Sequence, residues 1–275
     1  AENSMKILTW SSTVLDSPGA QSVKLKQPPG KHDFYRDVAV VAFPVTSGER
    51  LNGPGSGVKI DGSTDKTNLE RLIDGNTQTL ASFNPAQRGQ DNFVVFQIPE
   101  RRKVRSLILR DPGNYRLASA FSGKLEVSDD GKRYRLIKRF EVNWDVRDAP
   151  TRTITIGIKP MGGKYFRFSL KNTYPFGFSE VQLSSRAYPH FWEAKAGWTR
   201  HRDHGGEAVA LKESPAPNYD PLPAGYTVAM KDIRIISDRL SADGMLNWNV
   251  PAGRWRVLRV GYTSNGKPNS PATRE

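Results

Sequence analysis

The stretch TITIGIKPMGGKYFRFSL, residues 153–170, decides how the chain is read. Ile154, Ile156 and Ile158 fall on one side of an extended chain, with Thr153, Thr155 and Gly157 on the other. Phe166, Phe168 and Leu170 then alternate with Tyr165, Arg167 and Ser169. Alternation of this kind is the signature of a strand with one face in a core and the other wet. The Gly162-Gly163 pair between the two runs predicts a turn. Working outward, the same period recurs in LNWNV, where Leu246, Trp248 and Val250 alternate with Asn247 and Asn249. Further turn signals stand at Asp130-Gly131, Asp243-Gly244 and PAG (251–253). No segment keeps a helical period over twelve residues, and NLERLID (68–74) predicts one or two helical turns only. The expected fold class is therefore all-β: two antiparallel, jelly-roll-like β-sandwich domains.

Composition bounds the function classes. At 275 residues the chain is long for one domain, and 37% hydrophobic with 10% aromatic content is enough for cores. It has no run of eighteen apolar residues to span a membrane, and AENSMKILTW lacks the pattern of a signal peptide. The absence of cysteine excludes disulfides, thiolate nucleophiles and thiolate metal sites. A net charge of +13 invites an anionic partner: nucleic acid, acidic polysaccharide or an anionic membrane. Lys and Arg are scattered and form no stripe interleaved with exposed aromatics, which disfavours nucleic acid.

The chain reads as three stretches. Residues 1–50 hold strands at KILTWSS, SVKLKQ and VAVVAFPV, followed by a Gly/Ser-rich stretch (47–65) that reads as a linker. Residues 65–187 read as a tight series of short strands. After RAYPHFW comes a polar, Pro-rich stretch, and then strong strands over 226–263. Three strands are too few to close a sandwich. Residues 1–50 and 188–275 are therefore expected to pair as one discontinuous domain, with 51–187 inserted as the other.

A second stretch, RLIDGNTQTLASF (71–83), carries two readings. Asp-Gly and Gly-Asn form tight turns; Asp74, Asn76 and Thr79 also bring together oxygens of the kind a hard cation takes. In order along the chain, LIDGNTQT, FVVFQIP, VRSLILRD, GKLEVSDDGKRYRLI, GGKYFRFSLKN and FGFSEVQLSS resemble the discoidin, or coagulation factor type C, domains and related galactose-binding-like carbohydrate-binding modules. The resemblance implies a structural calcium held by Asp74, Asn76 and Thr79 with Glu180 as the late carboxylate. Ala81 departs from the family's usual Trp. It also implies sugar binding by loops at one end of the sandwich, where Tyr115, Trp144, Tyr174 and Phe176 are the aromatic candidates.

The outer pieces KILTWSSTV, DFYRDVAVVAFPV, FWEAKAGW and LSADGMLNWNVPAGRWRVLRVGYTSNGKPNSPA are similar to segments of glycoside hydrolase family 106, bacterial enzymes of the α-L-rhamnosidase type. That resemblance implies a (β/α) barrel with two catalytic glutamates lying outside residues 1–275, since no βα repeats occur here. The chain is then expected to be a non-catalytic accessory region, inactive alone. It would support the catalytic barrel of the same parent chain and hold carbohydrate, with its positive charge attracting acidic, rhamnose-containing polysaccharides such as pectins. The implied location is periplasmic or extracellular.

A self-sufficient glycan hydrolase is the first alternative. It needs two carboxylates about 6.5–9.5 Å apart, whereas the acidic residues sit mostly in turns or on wet strand faces. A basic nucleic-acid-binding protein is the second. No GxSxG nucleophile motif occurs, and GSG at 55–57 reads as linker. His201 and His204, near Asp203 and Glu207, have metal-ligand spacing, but a solvated polar loop is the preferred reading of them.

Overall fold

The computed structural model describes residues 4–87, 90–110, 121–142, 153–173, 175–195, 222 and 224–268. In chain order its elements are β1 (Ser4–Leu15), β2 (Gly19–Lys24), β3 (Tyr35–Pro44), β4 (Lys59–Gly62), α1 (Lys66–Glu70), β5 (Ala81–Phe83), β6 (Asn92–Arg110), β7 (Phe121–Ser128), β8 (Arg135–Val142), β9 (Thr153–Asn172), β10 (Phe176–Phe178), β11 (Glu180–Ser184), α2 (Trp192–Lys195), β12 (Arg234–Ile235), β13 (Met245–Val250) and β14 (Trp255–Pro268). Among the described residues every strand pairing is antiparallel, and the structure is all-β apart from these short helices and two 3₁₀ turns. It divides into two units, Ala1–Ser47 with Ala224–Glu275, and Gly48–Pro223.

In the first unit, β14 lies between β1 and β3, and β12 extends the sheet beyond β3; β2 pairs with β13 in a second sheet. Both sheets send side chains into one core. Val40, Ala42 and Val257 come from the first, and Leu246, Trp248 and Val250 from the second, as the alternation in LNWNV requires. The Trp248 and Trp255 rings meet edge to face at 5.4 Å, a geometry that the ring quadrupole favours. Arg259, nearly buried, reaches Asp37 with two bonds: Nε to Oδ1 at 2.8 Å and Nη2 to Oδ2 at 2.7 Å. Its Nη1 donates to the Leu25 carbonyl at 3.2 Å.

The second unit is built on β6 and β9. Its main sheet runs β11-β6-β9-β7-β8, and β4 shares with β11 the other edge of β6. The core gathers Phe83, Phe96, Phe166, Phe168, Phe178, Ile154, Ile156 and Ile158 among other apolar side chains. Phe140 stacks on Phe168 at 6.2 Å.

Three expectations are corrected in this unit. The runs TITIGI and KYFRFSL are one strand rather than two strands and a turn. Gly162 and Gly163 lie opposite Lys103 and Arg102, and the register shifts on either side of this stretch. At Gly163 the reason is steric, since a Cβ would stand 2.2 Å from Val127 Cγ2 and 3.0 Å from the Ser128 carbonyl oxygen. The residue lacks a side chain so that two strands can approach. FVVFQIP and VRSLILRD likewise join into the single β6.

The 47–65 stretch is not a free linker. Leu51 and Asn52 are buried; Leu51 N–H donates to the Leu183 carbonyl at 2.8 Å, and the Asn52 amide bonds Val181 O and Leu183 N at 2.7 and 2.8 Å. Residues 188–195, expected with the outer pieces, pack on the second unit instead. Phe191 is buried in its core and donates its N–H to Thr155 O at 2.7 Å. Glu193, fully buried, accepts from Thr155 N at 3.1 Å, Thr153 Oγ1 at 3.2 Å and Thr155 Oγ1. Burial holds its carboxyl above the ordinary range despite these bonds.

Candidate functional site

The helical turn α1 and the loop after it place the DGN stretch. Asp65 caps α1 by accepting from Asn68 N–H at 2.9 Å. Leu69 and Leu72 are buried, and the Leu72 carbonyl accepts from Val181 N–H at 3.0 Å. Residues 73–79 are thereby pinned beside β11. Gly75 supplies a left-handed φ of +78° at the turn. Asp74 Oδ1 accepts from Asn76 N–H at 2.7 Å, and Asn76 Oδ1 accepts from Gln78 N–H at 3.0 Å. Thr79 Oγ1 lies 2.8 Å from both Asp74 Oδ2 and Asn76 O.

Glu180 opens β11 and is 1% exposed. The Gly75 N–H and the charge of Asp74 both face its carboxylate, so the loop and Glu180 are neighbours. The side-chain oxygens of Asp74 and Asn76, however, close the loop's own turn, and the bond to Glu180 Oε2 comes from Arg50 Nη2. Desolvation outweighs the pull of Arg50 and raises the Glu180 carboxyl above its ordinary value. No three His, Asp or Glu side chains converge as metal ligands among the described residues.

Of the aromatic candidates for sugar binding, Tyr115, Trp144 and Tyr174 lie outside the described residues, as do His201 and His204. Phe176 is in β10, paired with Phe83 of β5.

A different surface comes from the outer faces of β4, β6, β9 and β7. The register sets Gln97 beside Tyr165 and Ser128, Val95 beside Arg167 and Glu126, and Phe93 beside Ser169 and Lys124. A groove of about 350 Å³ runs over this face, lined by Phe93, Tyr134, Tyr165, Arg167, Gln97 and Asp61 among others. A second groove, of about 380 Å³, adjoins it along the Phe93–Ser169–Lys124 row and is rimmed by Arg139 and Lys171. The Arg167 guanidinium lies 4.0 Å from the centre of the Tyr134 ring and donates from Nε to Glu126 Oε2 at 2.9 Å. Burial raises the Tyr134 hydroxyl pKa, so the phenol stays protonated and able to donate. Lys124 is held between Asp91 and Glu126 at 3.6 and 3.8 Å. This trough therefore offers half-buried rings, an amide and fixed charges on a rigid sheet. Tyr165 and Arg167 were legible as the wet face of KYFRFSL; their neighbours on β6 were not, because pairing across strands leaves no local signal.

Fold and surface together define an all-β protein with a ring-lined trough on one sheet. The chain belongs to glycoside hydrolase family 106, described as alpha-L-rhamnosidase, whose model matches residues 1–275. The solved rhamnosidase from Novosphingobium sp. PP1Y is similar over 99% of this chain and 25% of its own, at 26% identity and a TM-score of 0.70. A putative beta-glucuronidase of Formosa agariphila is 36% identical over 56 residues, 20% of this chain and 5% of that protein. A Clostridium perfringens CBM32 covers 49% of this chain and 98% of its own at 19% identity and a TM-score of 0.37. The chain thus spans a quarter of the rhamnosidase it matches and a twentieth of the glucuronidase.

Proposed function

We propose that this chain is a non-catalytic β-sandwich region of a larger α-L-rhamnosidase-type glycoside hydrolase, and that its second unit holds glycan in the trough over β4, β6, β9 and β7. The observation that carries the reading is the trough's chemistry. Rings of Tyr165 and Phe93 offer apolar faces to a sugar, while Gln97, Asp61 and Arg167 offer bonds to its hydroxyls. Lys59, Arg139 and Lys171 are exposed around it, which together with the +13 net charge favours an acidic, rhamnose-containing polysaccharide of the pectin kind. Such a role places the protein in the periplasm or outside the cell. No helix among the described residues is long and apolar enough to cross a membrane.

Chemistry is assigned to the catalytic barrel of the parent chain. Inverting hydrolysis needs an acid and a base facing each other across the substrate, whereas Glu180 and Glu193 are each buried and engaged by neighbours. The test is titration of the 275-residue chain with a pectic polysaccharide rich in rhamnose and uronic acid, followed calorimetrically. Tyr165→Ala removes an aromatic contact worth ~1 kcal/mol, so affinity falls about fivefold. Unchanged affinity in that variant would remove the trough from the reading. In parallel, the chain is incubated with an aryl α-L-rhamnoside. Turnover that a single Asp or Glu substitution abolishes would overturn the non-catalytic assignment.

A further inference from the structure

The resemblance to discoidin-like modules implies a calcium ion at the DGN loop, but no three His, Asp or Glu side chains converge there among the described residues. We infer that Arg50 is a built-in cation: its guanidinium takes the part of the ion, neutralising Glu180 and tying the two ends of the second unit together without metal.

The argument begins with charge. Glu180 is a buried carboxylate 130 residues downstream of Arg50 in sequence, and Arg50 Nη2 bonds its Oε2 directly. A buried carboxylate left uncompensated is strongly unfavourable, and a cation beside it offsets that cost. The loop that would supply the other calcium ligands has turned its side-chain oxygens to other work. Asp74 and Asn76 accept backbone N–H groups of the turn, and Thr79 caps it. Space is also taken. A Cβ on Gly53 would stand 3.0 Å from Arg50 Cδ and Nε, and one on Gly75 would stand 2.9 Å from Pro54 Cγ, so the arginine stem and the loop are closely packed.

Two buried atoms are left over, Glu180 Oε1 and Arg50 Nε. They are an acceptor and a donor on the two members of the same ion pair, and the Gly75 N–H also faces the carboxylate. The backbone around Arg50 holds it in place. Arg50 bridges to Ser184, Leu51 bonds Leu183, and the Asn52 amide bonds Val181 and Leu183. The first residues of the unit thus lie along its last strand, and the ion pair locks the closure that calcium would otherwise provide. On the reading proposed above, this has a use: an acidic polysaccharide offers oxygen ligands that compete for calcium, and a guanidinium cannot be taken away.

The experiment follows thermal unfolding of the full chain, free of glycan, in chelator and in millimolar calcium, and titrates calcium into metal-stripped protein by calorimetry. The wild-type midpoint is expected to be the same in both buffers, with no heat of binding. Arg50→Ala should lower the midpoint by several degrees in chelator, and calcium should restore part of the loss, because the vacated space and Glu180 then accept the ion. A wild-type midpoint that falls in chelator and recovers with calcium would overturn the inference, as would an Arg50→Ala midpoint equal to wild type. Should Arg50→Ala fail to fold, the wild-type titration decides by itself: stoichiometric calcium binding refutes the built-in cation, and its absence sustains it. Neither readout involves the glycan trough.

Discussion

Removing Asp37 isolates one partly buried ion pair of the first unit and gives its worth a sign and a size. Arg259 is 9% exposed and Asp37 41% exposed, and two charge-assisted bonds of 2.8 and 2.7 Å join them. Tyr35 OH adds a third bond to Asp37 Oδ1 at 2.7 Å. Breaking a fully buried pair costs about 3–5 kcal/mol, because the surviving charge is stranded. Water reaches Asp37, so the loss must be discounted toward the ~1 kcal/mol of surface pairs. Asp37→Ala is therefore expected to cost about 2 kcal/mol. For a unit of this size that moves its midpoint by roughly 8–16 °C. The two units of the chain are followed separately if they melt apart.

A double-mutant cycle of Asp37→Asn with Arg259→Met measures the coupling directly. The pH dependence supplies a second reading. The Arg259 bonds, with Tyr35 helping, hold the Asp37 carboxyl below its ordinary 3.8. The unfolded chain then binds the proton first, so the contribution is complete above the ordinary value and is lost as pH falls through the folded one. The gap between wild type and Asp37→Asn should narrow below about pH 4. A coupling below about 0.5 kcal/mol, or a gap that widens on acidification, would refute this account of the pair.

Gly163→Ala should destabilise the second unit by about 1–3 kcal/mol, through the collision with Val127 and the Ser128 carbonyl rather than through backbone angles. Denaturant unfolding at wild-type stability would mean that β7 and β9 are not that close. At the Asp130-Gly131 turn, Oδ1 accepts the N–H groups of Arg133 and Lys132 at 2.9 and 2.8 Å, and Ser128 Oγ lies at the same oxygen. These bonds lower its carboxyl from 3.8 to about 2. An NMR titration of that carboxyl should find the midpoint near 2, and its share of stability should persist above the ordinary value and vanish as pH falls through the folded one; a midpoint near 3.8 would remove the turn bonds.

Much of this protein is local physics written in its residues. Ile154, Ile156 and Ile158, Phe166 and Phe168, and Trp248 and Val250 are buried where a period of two puts them, because alternate side chains of a strand must face one way. The DGN loop is a turn for the same kind of reason, since Asp74 and Asn76 bond backbone groups only two residues on. Other features depend on which strands meet. Gly162-Gly163 reads as a turn by composition and lies in a strand because β6, β7 and β9 crowd it. The Gly/Ser-rich stretch reads as a linker, yet Arg50 and Asn52 are held by β11, whose residues are some 130 positions away. Glu180 could be singled out in the sequence as the late carboxylate, but its partner could not: a charge pair closed by the fold leaves no spacing to read. The trough follows the same rule, with Tyr165 and Arg167 visible as a wet face and Phe93 and Gln97 brought beside them only by the β6–β9 register. Periodicity and turn chemistry act over a few residues and are legible in the chain; the partner of a buried charge and the neighbours across a sheet are chosen by tertiary packing, where contacts between distant residues carry the energy.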